Sequence, residues 1–298
     1  MSVHRIKTEL LEIVYEDEGP RNGEVILLLH GWPDDIRSWR CVAPVLHAAG
    51  FRTITPYLRG HGPTRFLSSS TIRDGRGVAL AQDAIDLADA LGLRDFAVLG
   101  HDWGARTAYI LAALFPARVT RIAAASVSFQ PNGEFPIPSF KQSRLFWYQW
   151  FMCVDGGVEA IRADPYGFAR IQWNTWSPEG WYHEEDFLAT AVSFDNPDWV
   201  DITLNGYRSR FCQTDNDPRY QALQHRLSRV STLATPTLMI QGGVDTCDDP
   251  EASEGQERNF TGIYRRHLLD GVGHFPTREA PELVAEAAIA HFLRPRAR

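Results

Sequence analysis

The chain of 298 residues lacks the marks of several whole classes of protein. It has only 4 cysteines, Cys41, Cys153, Cys212 and Cys247, and no two of them form a C-x-x-C pair. That spacing argues against a disulfide framework or a cysteine-held metal, and for buried free thiols in a reducing compartment. There is no excess of positive charge: 30 Lys and Arg against 37 Asp and Glu leave a net charge of −7. A nucleic-acid binder needs clustered cations to release counterions, and the basic tail Arg294, Arg296, Arg298 is short and interrupted. No apolar run approaches the roughly 20 residues that cross a bilayer. Residues 1–7 lack the apolar stretch of a secretory signal. The expectation is a cytoplasmic protein with no nucleic-acid partner and no membrane contact, with a homodimer left open. No internal repeat is evident, and the G-x-S-x-G signature of a serine esterase is absent.

What is present is a rhythm of short apolar runs. The continuous run Val25–Leu29 has strand length and suits a strand covered on both faces. Further runs follow around Phe51–Ile54 and Phe96–Leu99, separated by a helical spacing over Val78–Leu91 that ends at Gly92. Strand, helix, strand in this order reads as right-handed βαβ units. Another strand is expected near Val119–Val127, and the rhythm resumes at Pro236–Ile240 and Tyr264–Leu269 before a closing helix from Pro281 to about Leu293. Between Gln130 and Arg229 there are no strand-like runs, but many aromatics and helix-length pieces broken by Pro and Gly. The expected architecture is an α/β fold, a mostly parallel central sheet flanked by helices. Its core falls in two parts, 1–129 and 230–298, with a helical cap at 130–229 inserted between them. The chain is also rich in rings, with 9 Trp, 9 Tyr and 16 Phe, and those inside the cap are expected to line or roof an apolar pocket.

The strongest local signal is Val98-Leu99-Gly100-His101-Asp102-Trp103-Gly104-Ala105, an apolar strand running into G-x-D-x-G and then a helical pattern. That context makes a nucleophile elbow, a strained turn that projects its middle side chain above the sheet. The middle residue is Asp102, and a carboxylate there can attack an sp³ carbon to form an alkyl-enzyme ester. A helix N-cap is the plainer role for such an Asp. Downstream, Asp245 sits in Gly242-Gly243-Val244-Asp245 and His274 in Gly271-Val272-Gly273-His274, each at the end of an expected strand. The order nucleophile, acid, histidine is that of α/β-hydrolases, with His274 activating water and Asp245 holding its tautomer. Asp248 and Asp249, followed by Pro250, read as a surface turn. The segment His30-Gly31-Trp32-Pro33 after the first buried strand supplies an oxyanion hole, with one backbone N–H from Trp32 and one from Trp103.

The blocks HGWPDD (His30 to Asp35), YLRGHGPT (Tyr57 to Thr64), GHDWGA (Gly100 to Ala105), GGVD and GVGHF, in this order, resemble the α/β-hydrolase-fold epoxide hydrolases and their dehalogenase relatives. The resemblance spans nearly the whole chain. It implies an Asp102–Asp245–His274 triad and hydrolysis of a small apolar epoxide by water to a vicinal diol, without metal or organic cofactor. It also implies two cap phenols that take the epoxide oxygen: Tyr148, in a Tyr-Gln pair of an aromatic segment, and Tyr207, in Leu-Asn-Gly-Tyr-Arg. Pocket walls are expected from His30, Trp32, Trp103, Trp147, Trp150, Phe151 and Phe275. The same triad serves haloalkane and haloacetate dehalogenases, where the Trp32 and Trp103 indoles could hold halide. The two-arginine carboxylate clamp of the fluoroacetate enzymes is half missing here, with Trp103 at its first position and Arg106 at its second. A non-catalytic receptor on the same fold would show a broken triad.

Overall fold

The computed structural model describes residues 3–294, so Arg296 and Arg298 of the basic tail lie outside it. Its strands are β1 (Val3–Lys7), β2 (Leu11–Glu18), β3 (Val25–Leu29), β4 (Arg52–Pro56), β5 (Arg65–Phe66), β6 (Phe96–His101), β7 (Val119–Ala125), β8 (Thr237–Gly242) and β9 (Tyr264–Leu269). They form one sheet in the order β1-β2-β4-β3-β6-β7-β8-β9, with β5 paired to β2. β1, β2 and β4 meet antiparallel, and every pairing from β4 across to β9 is parallel. Two-residue β5 is too short to leave a periodic signal in the sequence.

Alternation along the central strands explains why both faces are covered. Ile26 and Leu28 of β3, Ala97 and Leu99 of β6, and Leu238 and Ile240 of β8 point to one side. There they meet Val42 and Leu46 of α1 (Val42–Ala48) and Val284, Ala288 and Phe292 of a C-terminal helix. Leu27, Leu29, Val98 and Ile122 point to the other side, against α2 (Gly77–Ala90) and α3 (Trp103–Leu114). Two apolar faces demand two helical layers, and the unbroken Val/Ile/Leu runs are the sequence trace of that demand.

Between β7 and β8 the described chain is helical: α4 (Phe140–Leu145), α5 (Trp147–Met152), α6 (Asp155–Ala163), α7 (Pro165–Thr175), α8 (Glu184–Ala191), α9 (Trp199–Arg208) and α10 (Gln221–Leu227). After β9 come α11 (Pro276–Glu279) and α12 (Pro281–Phe292). Trp173, Trp176, Trp199, Tyr148 and Tyr207 of the helical segment are fully buried with Trp32 of the sheet part, so the rings join the two parts in one core. Among the described residues no helix is long and apolar enough to cross a membrane.

Candidate active site

Asp102 follows β6 and precedes α3 with φ 49° and ψ −109°, a conformation that residues other than glycine rarely adopt. The turn requires glycine on both sides. A Cβ on Gly100 would lie 2.2 Å from the Gly104 carbonyl oxygen, and one on Gly104 would lie 1.9 Å from that of Leu29. The Asp102 carboxylate does not cap α3. Its Oδ1 instead accepts a 2.8 Å hydrogen bond from the backbone N–H of Trp32. The N–H of Trp103 opens α3 and, like the other first-turn donors of a helix, has no intrahelical acceptor. Of the two N–H groups named from the sequence, that of Trp32 is hydrogen-bonded to this carboxylate, and that of Trp103 belongs to the next residue in the chain.

The loop after β9 carries His274, whose Nδ1 lies 2.9 Å from Asp245 Oδ2 and whose Nε2 lies 3.7 Å from Asp102 Oδ2. Asp245 is fixed in turn by the N–H groups of Cys247 and Asp248, which donate to its Oδ1 at 2.7 and 3.0 Å. The His274 carbonyl accepts from Ser126 Oγ at 2.8 Å and lies 2.7 Å from His101 Nε2. Glu279 of α11 accepts from the N–H groups of Gly273 and Phe275 at 2.7 and 2.9 Å, clamping the loop on either side of the histidine. Burial alone would raise the Asp102 carboxyl, but the nearby His274 imidazole outweighs it and holds it down at about 2. Burial likewise works against a charged His274, yet Asp245 and Asp102 lift it well above its ordinary value. The three groups thus hold one another in charged form.

Tyr148 on α5 and Tyr207 on α9 come together over this site, with ring centroids 5.4 Å apart. Both rings pack on Trp32: Tyr148 stacks on it at 6.0 Å and Tyr207 meets it edge-on at 5.1 Å. The Tyr148 hydroxyl accepts from Gln149 Nε2 at 2.9 Å and lies 3.5 Å from Cys247 Sγ. The Tyr207 hydroxyl is buried with no hydrogen-bond partner. Burial pushes both phenols well above 10, for Tyr207 with the Asp102 charge as the next cause, so both are neutral donors.

The expected pocket needs correction. His30 is buried but faces away, its Nε2 accepting from the Leu58 N–H at 3.1 Å and its Nδ1 lying 2.9 Å from the Gly31 carbonyl oxygen. It is a turn-holding residue. Trp147, 38% exposed, lies on the outer side of α5. Trp150 donates its indole N–H to the Ser143 carbonyl and packs on Phe211, and Phe151 packs on Phe168. With Tyr148 facing inward, the positions one and two residues away, Trp147 and Trp150, must face elsewhere on the helix. Phe275 is fully buried against Trp181 and His274, where it supports the histidine loop. Nor is Asp248 part of a plain surface turn: burial pushes its carboxyl up to about 6, and Asp249 is buried and paired with Lys141. Ser126, Glu279 and Cys247 at the site carry no motif, because their placement depends on β7, α11 and the β8 loop converging. Cys247, Asp248 and His274 offer ligand atoms within 4.8 Å of one another. A metal there would compete for the imidazole that Asp245 and Asp102 share.

A cavity of about 530 Å³ opens beside the elbow, one turn further along α3. Trp103 is the one residue expected in the pocket that lines it; Arg106, Phe135 and Arg210 line it too.

Residues 24–281 match the family described as alpha/beta hydrolase fold. A candidate epoxide hydrolase of known structure from Klebsiella pneumoniae is 37% identical, with a TM-score of 0.90 over 97% of this chain and 96% of that one. Epoxide hydrolase A from Mycobacterium tuberculosis is 26% identical over 93% of this chain and 92% of its own. Epoxide Hydrolase A from Mycobacterium thermoresistibile is 25% identical, with a TM-score of 0.76 covering 99% of both chains. With the strand order, the elbow and these likenesses in agreement, the chain belongs to the alpha/beta hydrolase fold family.

Proposed function

We propose that the protein opens epoxides to vicinal diols through an ester on Asp102, with the helical segment 130–229 as the cap over the site. The observation that carries this reading is the Tyr207 hydroxyl, a buried donor without a partner that feels the Asp102 charge, with Tyr148 beside it. A buried donor left unsatisfied costs about 1–3 kcal/mol, and an epoxide oxygen held against Asp102 is an acceptor that would satisfy it.

Asp102 attacks a ring carbon, the C–O bond breaks, and the departing oxygen takes a proton or hydrogen bonds from the two phenols. Esterification removes the Asp102 charge that favours the His274 cation, so His274 gives up its proton to restore the one the phenols donated. As the neutral base it then takes a proton from water while Asp245 steadies the imidazolium, and the resulting hydroxide attacks the ester carbonyl. The N–H groups of Trp32 and Trp103 hold the oxyanion, and collapse releases the diol and the carboxylate. No step in this sequence calls for a metal or organic cofactor.

The test is a single turnover of styrene oxide in ¹⁸O-water with enzyme in excess. The ester route puts label in the Asp102 carboxylate and unlabelled oxygen in the first diol; label passing straight into diol would overturn it. A dehalogenase is the second reading, favoured by the buried, unpartnered Nε1 of Trp103 as a halide donor. The Trp32 indole is committed to Thr203 Oγ1 at 2.9 Å, so half of that halide site is taken. Halide release from haloalkanes or fluoroacetate without epoxide turnover would decide for it. An intact Asp245–His274 contact at 2.9 Å speaks against a non-catalytic receptor.

A further inference from the structure

The cavity beside the elbow holds two cations that the hydrolytic steps do not use. Arg106 lies one turn beyond Asp102 on α3, its N–H donating to the Asp102 carbonyl at 3.0 Å. Arg210 follows α9, three residues after Tyr207. Both guanidiniums stand against the ring of Phe135, at 5.3 and 4.7 Å from its centroid. Arg106 Nε and Nη1 are buried with no hydrogen-bond partner. Arg210 donates to Gln149 Oε1 at 3.1 Å, an uncharged acceptor. Among the described residues neither has a carboxylate in ion-pair contact. None of the acidic groups around the pair reaches ion-pair contact with it: Glu134 is exposed at the cavity wall, and Asp102 and Asp248, whose charges act on the arginines, make no salt bridge to them. Arg76, which also lines the cavity, is already paired with Asp74 at 2.6 Å.

Two guanidiniums in one cavity without a direct ion-pair partner favour an added anion: burial and the Arg106 charge lower Arg210 to about 10. Their forks offer several donors suited to a carboxylate. We propose that Arg106 and Arg210 form an anion subsite that binds the carboxylate of an acidic epoxide, making the preferred substrate an epoxy acid instead of a neutral epoxide. The subsite rests on the epoxide-opening reading and adds to it the chemical class of the substrate. Arg106 follows the nucleophile by one helical turn, a backbone rise of about 5.4 Å, and both arginines line the cavity next to Trp103. Trp103 and Tyr207, in ring contact at 5.3 Å, stand between cavity and triad. A substrate spanning both must pass between these two rings.

The test compares 4-phenyl-3,4-epoxybutanoate with its amide, of nearly the same shape and without charge. Turnover is followed with wild-type enzyme, and binding of 4-phenylbutyrate and 4-phenylbutanamide is measured by calorimetry on Asp102→Asn protein, which needs no catalysis. Charge-assisted hydrogen bonds of this kind predict an acid-over-amide preference of about 10- to 100-fold in both kcat/KM and Kd. Arg210→Met should bring the preference close to one, and Arg210→Lys should keep part of it. Equal binding of acid and amide by protein with wild-type arginines would overturn the subsite even if the variants fail to fold. Loss of the preference together with continued opening of the amide epoxide and of styrene oxide would leave the proposed activity standing. Tight acid binding with no epoxide opened at all would sink the activity and spare the subsite.

Discussion

The sheet part and the helical segment between β7 and β8 solve different problems with different residues. The sheet part packs Ile, Leu, Val and Ala on two faces of parallel strands and puts Asp102, Asp245 and His274 at strand ends. The helical segment packs tryptophan, tyrosine and phenylalanine and places Tyr148, Tyr207 and, just after α9, Arg210 over those ends. Aliphatic packing between regular layers holds atoms in place to a fraction of an ångström, which is what a nucleophile and its base need. Aromatic helices offer a large apolar surface with polar tips, which is what recognition needs. Under the proposed function, reaction type belongs to the sheet part and choice of substrate to the helices above it.

That division can be broken or sharpened by substitution. Asp102→Asn should lower kcat/KM on any substrate by about ten-thousand-fold or more, because the covalent route loses its nucleophile; turnover within a hundredfold of wild type would place the chemistry elsewhere. The pair Tyr148→Phe and Tyr207→Phe keeps the rings and removes both hydroxyls, so kcat on styrene oxide should fall about 10²- to 10⁴-fold while the melting temperature changes little. An unchanged rate would take both phenols out of the site. Gly104→Ala tests the sheet side by packing alone. Its methyl meets the Leu29 carbonyl, and the protein should lose about 3 kcal/mol or more in denaturant unfolding.

Smaller effects probe electrostatics and the outer face. The Asp102 carboxyl is held at about 2, below the about 3.9 of an unfolded chain, so its stabilisation is present above pH 4 and lost as pH falls through 2. The melting-temperature difference between wild type and Asp102→Asn should narrow over that interval, and a difference that stays constant would mean that the carboxylate gains nothing from His274. Trp147→Ala, on the outer side of α5, should cost under about 1 kcal/mol and leave the epoxide rate within twofold.

Much of the sheet part was legible before any coordinates. Val25–Leu29 and Tyr264–Leu269 are strands with the expected bounds. The helix expected over Val78–Leu91 spans Gly77–Ala90, because local periodicity and a terminal glycine carry that information. Asp102, Trp32, Asp245 and His274 were legible too, since glycine-flanked strand ends are local features that imply a turn and a projecting side chain. The walls of the pocket were not. Trp147, Tyr148, Trp150 and Phe151 are neighbours of similar character in one short helix, and which of them faces inward depends on how α5 rotates against α9 and Trp32. His30 looked like a pocket residue because it adjoins Trp32, but the Leu58 N–H that holds its ring is 28 positions away.

By itself, then, the sequence determined the sheet, the elbow and the identity of the groups that meet there, because periodicity, glycine sterics and strand-end position act over a few residues. Only the tertiary structure decided which rings face the carboxylate, that Ser126 and Glu279 fix the histidine loop, and that Arg106 and Arg210 share one cavity. Arg106 on α3 and Arg210 just after α9 are about a hundred positions apart. A like-charged pair of that kind leaves no pattern along the chain, and packing alone brings the two charges together.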